Sequence, residues 1–231
     1  MKLKRHSSRG ATAKLAIAAM AAAALGTAGY ISGSPDDAGA SSVHAKAHAD
    51  LRSREAVAFR NQMRKLWEDH ITWTRMFIVA AVADLPDADT AAGRLLANQD
   101  HIGNAIKPYY GDEAGEALSA LLRDHILIAA DILAAAKEGD SAGVEEANAR
   151  WHENADEVAD FLSAANDENW PRADMRAMMR GHLDWTLAEA GARLESNWAD
   201  DVQAYDRIHR DILHMADMLS VGIIKQFPGR F

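Results

Sequence analysis

The sequence predicts an all-α fold: a six-helix bundle over residues 51–231, built from three helical hairpins with a long first helix. Three observations carry this reading. Apolar residues recur three and four positions apart through most of the body, which is the spacing of one helix face. Runs in which apolar and polar residues alternate for more than four positions are scarce, so strands have little support. Pro86, Pro108, Pro171 and Pro228 fall where that helical spacing breaks, as expected of a residue that ends or opens helices.

The first helix runs from about Leu51 to Ala83 and stops at Leu85-Pro86, because the residue before proline disfavours the α region. Asp87 or Asp89 caps a second helix that reaches Lys107, and Pro108-Tyr109-Tyr110-Gly111 reads as a turn. Asp112 caps a third helix ending near Lys137. Gly139 suits the left-handed residue past its end. A fourth helix spans Ala142 to Ala165, followed by a loop from Asn166 to Trp170. Pro171 opens the fifth, which runs to Ser196. Asn197 caps the sixth, which extends to Lys225. The tail Gln226-Phe227-Pro228-Gly229-Arg230-Phe231 cannot continue it, and its two phenylalanines are expected to pack back on the bundle.

The segment ahead of the body is of a different kind. Lys2, Lys4, Arg5, Arg9 and Lys14 precede an alanine-rich apolar run from Leu15 to Ile31. That run is short for a membrane span, so residues 1–31 read as a signal peptide, or else an uncleaved N-terminal anchor. Small residues suited to cleavage occur at Gly26-Thr27-Ala28, Ala38-Gly39-Ala40 and Ala47-His48-Ala49. Residues 32–50 lack periodicity and form a flexible spacer, in which His44 and His48 read as solvated rather than ligating. The expectation is a bacterial protein exported to the periplasm, cell envelope or medium, at a membrane only if this segment is retained.

Charge narrows the partners. Of 25 basic and 34 acidic residues, six and three lie in residues 1–50, so the body carries a formal charge of −12. Phosphate backbones would repel it, which argues against nucleic acid. Cysteine is absent, so disulfides, thiolate metal sites and cysteine nucleophiles are excluded.

Histidine supplies the one pattern with chemical content. His70, His125 and His182 recur 55 and 57 residues apart on the first helix of each hairpin. His70-Ile71-Thr72-Trp73-Thr74 and His182-Leu183-Asp184-Trp185-Thr186 share a five-residue pattern from which His125-Ile126-Leu127-Ile128-Ala129 departs, and the second arms match more loosely at Asn98-Gln99-Asp100, Asn154-Ala155-Asp156 and Ile208-His209-Arg210. A repeat near 55 residues suggests a duplicated hairpin. Each histidine shares its face with apolar residues: His70 with Met63, Trp67 and Phe77, His125 with Leu118, Leu122 and Ile132, and His182 with Met175, Met179 and Trp185. His209 lies with Tyr205, Ile212 and Leu213 and is the expected fourth member. A single inward histidine is ordinarily a hydrogen-bonded core residue. Several at matched positions can converge on a transition metal such as zinc, copper, nickel or iron.

Weaker patterns stand beside it. Met175, Met178 and Met179 near His182 would suit copper, although methionine stripes at helical spacing are mostly core filler. Asp211, His214, Asp217 and Met218 place a histidine between two acids, an arrangement that a solvated face also produces. No His-Glu-x-x-His, Gly-x-Gly-x-x-Gly, phosphate loop or Gly-x-Ser-x-Gly elbow occurs, so an enzyme is less expected than a binding protein or an interaction module of the envelope.

The stretch Leu66-Trp67-Glu68-Asp69-His70-Ile71-Thr72-Trp73-Thr74-Arg75 also carries a resemblance. With Asn98-Gln99-Asp100, Ile102-Gly103-Asn104, Lys107-Pro108-Tyr109-Tyr110-Gly111, Asp124-His125-Ile126 and Gly222-Ile223-Ile224-Lys225-Gln226-Phe227-Pro228, it resembles an uncharacterised bacterial family of small helical proteins, over nearly all of residues 60–231. The resemblance implies a single helical unit. Members of that family carry the label glycosyltransferase.

Overall fold

The computed structural model describes residues 49–231, so the signal-type segment 1–31, His44 and His48 lie outside the described residues, as does all of the spacer but its last two positions. Six α-helices follow one another: α1 Arg54–Val82, α2 Ala88–Tyr110, α3 Asp112–Glu138, α4 Ser141–Ala165, α5 Arg172–Leu194 and α6 Trp198–Gln226, then a 3₁₀ turn Pro228–Arg230. The described residues form no strand. The all-α expectation holds.

Local chemistry sets most boundaries. Ser53 accepts a hydrogen bond from the Ala56 amide at 3.0 Å to start α1, and Asp140 does the same for Gly143 at the start of α4. Asn197 caps α6 through the Asp200 amide. Gly139 takes φ 72°, a left-handed value that costs glycine little.

One boundary corrects the expected turn at residues 108–111. Helix α2 runs through Pro108 to Tyr110, and the link to α3 is Gly111 alone, at φ 85°. Proline removes one amide donor but leaves the helical φ in place, and here the helix needs only two more residues. Those two are pinned by aromatic contacts. Tyr109 stacks on Phe231 at 5.3 Å and meets Phe59 edge-on at 5.0 Å, while Tyr110 meets Phe227 at 5.3 Å. The two phenylalanines of the tail do pack back on the bundle.

Each helix packs against the next in sequence, and α6 packs against α1, so the six close into a ring. The most extensive contact is between α2 and α3. Helix α1 also touches α3 and α5, which brings the odd-numbered helices toward the axis. The continuous core includes Met63, Trp67, Leu118, Leu122, Trp151, Leu183, Ile212 and Ile223. No helix among the described residues is long and apolar enough to cross a membrane.

Two glycines fix the α2–α3 crossing. A Cβ on Gly103 would overlap the Gly115 carbonyl oxygen and the Ser119 hydroxyl, and one on Gly115 would lie 2.6 Å from the Gly103 carbonyl oxygen. Backbone cannot yield as a flexible side chain can. Gly103→Ala is therefore expected to destabilise the fold by about 3 kcal/mol, at the upper end of ordinary overpacking. A urea midpoint equal to that of the parent chain would contradict this close approach.

Candidate functional site

Helices α1, α3 and α5 each place a histidine near their midpoint, on the face turned to the bundle axis. His70, His125 and His182 are all buried. The His70 and His182 rings lie 5.8 Å apart by centroid, and those of His125 and His182 lie 6.3 Å apart at 23°. His182 is thus the shared member of both pairs. Trp67 stands edge-on to His70 at 5.7 Å, and Trp151 lies 5.0 Å from His125. Trp151 also donates its indole N–H to the His125 carbonyl at 3.0 Å. One turn on, Thr74 and Thr186 donate to the carbonyls of His70 and His182.

Side-chain amides orient two of the rings. Gln99 Nε2 donates to the Leu95 carbonyl at 2.8 Å, and a carbonyl can only accept, so Gln99 Oε1 faces His70 Nδ1 at 3.2 Å. Asn154 Nδ2 donates to the Leu121 carbonyl at 3.1 Å, which leaves Oδ1 facing His125 Nδ1 at 2.8 Å. Each imidazole must therefore carry its proton on Nδ1 and its lone pair on Nε2. This is the tautomer of a histidine that ligates through Nε2 while an outer oxygen holds the ring. His182 differs: its Nδ1 is buried with no hydrogen-bond partner.

Burial makes all three rings poor bases. Loss of solvation holds His70 down to about 4, against a partial rise from Gln99, and His125 down to about 3, with His70 nearby adding to the fall. His182 is pushed well below its ordinary value by burial and by the other two histidines. At neutral pH the three are uncharged, so no proton need leave before a cation is bound.

The expected fourth member is elsewhere. His209 lies on the outer side of α6, where its Nε2 meets Glu68 Oε1 at 2.8 Å. The face it shares with Tyr205 and Leu213 is only half-buried, between α1 and α6, and does not reach the axis. As the side chains stand, no three His, Asp or Glu among the described residues are grouped closely enough to hold a metal.

The other candidate sets resolve simply. Asp217 pairs with Arg60 and Arg64 of α1, at 3.4 and 2.5 Å, and His214 is exposed, so that constellation is a solvated face. Met175 and Met179 are buried in the apolar core.

An apolar cavity of about 200 Å³ adjoins the histidine layer. Thr74, Ile78, Ile126, Ala129, Thr186 and Ala190 line it, each one to eight residues beyond the histidine of its own helix. On the α1–α5–α6 side, Arg75 Nη1 meets Glu189 Oε1 at 2.6 Å and Asp201 Oδ1 at 2.7 Å, while Arg193 meets Asp201 Oδ2 at 3.3 Å. Burial pushes the Glu189 carboxyl up to about 7, against the pull of Arg75.

Reasoning from sequence alone missed the roles of Gln99 and Asn154, although it matched their segments. The signal was present: each lies 29 residues after its histidine. The same step from His182 reaches Asp211, which is exposed, and the third ring accordingly lacks an amide. The ion network also escaped, because Arg75, Glu189 and Asp201 come from three separate helices. Compared with protein-family profiles, curated proteins and solved structures, the chain matches none.

Proposed function

We propose that this is an exported, non-catalytic binding protein that holds one transition-metal ion, from among zinc, copper, nickel and iron, between His70, His125 and His182. The observation that supports it is the amide-fixed Nδ1–H tautomer of two neutral, buried imidazoles facing a third that lacks a partner. Tetrahedral ligation at metal–nitrogen distances near 2.1 Å brings ring centroids to about 5 Å. The present separations of 5.8 and 6.3 Å both involve His182. Three nitrogens leave further coordination positions for water or a ligand, and borderline-soft divalent ions suit imidazole best.

Elemental analysis of the untagged protein, followed by titration with zinc, copper and nickel, tests this. One ion per chain is expected, with affinity falling 10-fold or more in His70→Ala, His125→Ala and His182→Ala, and also in Asn154→Leu, which removes an orienting partner. Failure of the parent chain to take up any of these ions would leave the histidines as core residues. It would favour an interaction module for an envelope protein, for which Trp198 and Val202, one turn apart and 53% and 51% exposed, offer a surface. Saturable binding of a sugar nucleotide would instead favour the glycosyltransferase reading.

A further inference from the structure

We infer that the cavity beside the histidine layer is a binding site for a small uncharged apolar molecule with a body the size of a single six-membered ring. The inference does not rest on the metal reading, since it requires the cavity alone. Its walls come from α1, α2, α3, α4 and α5, and no charged side chain lines it. The two hydroxyls on its wall, Thr74 and Thr186, already donate to helix carbonyls, and Trp151 donates its indole N–H to His125. A bound molecule therefore meets no donor that is left to satisfy, so an ion or a polyol gains nothing there.

Volume sets the size. A dry engineered cavity of about 150 Å³ accepts benzene, so about 200 Å³ admits a monocyclic ring with a short substituent, about eight to ten non-hydrogen atoms. The space is kept open by small residues: Ala129 and Ala136 on α3, and Ala190 and Gly191 on α5. A Cβ added at Gly191, which is half-buried at the wall of this space, meets nothing within 4 Å. A larger aliphatic residue at any of these half-buried places would take up part of that space.

The test uses the full chain with toluene, p-xylene and indole as probes, and phenyl phosphate as a charged counterpart. Calorimetric titration and thermal melts should show saturable binding of the neutral probes, and a melting temperature that rises with their concentration. Phenyl phosphate should bind at least 10-fold more weakly. Gly191→Leu fills open space on a helix and should keep the fold, with neutral-probe affinity lowered 10-fold or more. Ala190→Met, which fills the same space from the neighbouring position, should do likewise. No saturable binding of any neutral probe by the parent chain would overturn the inference. So would equal binding by the parent and both filled variants.

Discussion

Acidification from pH 7 to pH 4 should unfold this protein, and the histidine layer should be the main cause. Burial depresses all three imidazoles in the folded state, whereas in the unfolded chain they titrate near their ordinary 6.5. The unfolded state therefore binds more protons below that value. Stability is complete above about pH 6.5 and falls as the pH drops toward the folded-state values. At about 1.4 kcal/mol per pH unit lost between 6.5 and 4, His70 and His125 each contribute on the order of 3 kcal/mol to that loss by pH 4. Together these match the whole stability of many domains. Glu189 acts in the opposite sense, since its raised carboxyl takes up a proton earlier when folded, but it sets one proton against three. Urea midpoints at pH 7.5, 6.5, 5.5 and 4.5 should fall steeply at the acid end, and His125→Leu should reduce the slope by one proton. A flat profile would mean that the rings are not buried as neutral bases.

Asp201→Ala should be the most damaging single change outside the core. Its carboxylate is 2% exposed and takes bonds from both Arg75 and Arg193, while Arg75 also reaches Glu189. Removing it leaves two guanidinium groups beside one carboxylate whose burial already favours its neutral form. Breaking a buried ion pair on one side costs about 3–5 kcal/mol, chiefly because the surviving charge is stranded. For a chain of this size that corresponds to a melting temperature lower by roughly 6–20 °C. Asp201→Asn, which keeps an oxygen toward Arg75, should lose less. A loss below about 1 kcal/mol in the alanine variant would place the network among weak surface pairs.

The fold was legible in the sequence because helix periodicity and capping are local. Asn197 and Gly139 act within four residues of where they stand, whereas Asp87 makes no side-chain cap bond and Gly111 rather than Asp112 takes the cap position of α3. The end of α2 was not legible, because what carries the helix past Pro108 is the contact of Tyr109 and Tyr110 with Phe59, Phe227 and Phe231, which are distant in sequence. The inward aim of His70, His125 and His182 followed from their apolar faces. The misplacement of His209 has the same origin: an apolar stripe can face a neighbouring helix as well as the axis, and periodicity does not distinguish the two. The cavity was illegible for a further reason. Ala129, Ala136, Ala190 and Gly191 read as good or tolerable packing residues one at a time, and only their juxtaposition leaves space.

Contact of α6 with α1 closes three successive helix pairs into one ring. Each successive pair of helices in that ring supplies one imidazole to the interior. Three separate hairpins could draw the same figure, but their axial site would exist only at concentrations that hold a trimer together. Covalent linkage through short connections removes that dependence, because the second and third units are always present at high effective concentration. It also lets the units differ: two carry an amide against their histidine ring and the third does not, a difference that identical subunits could not maintain.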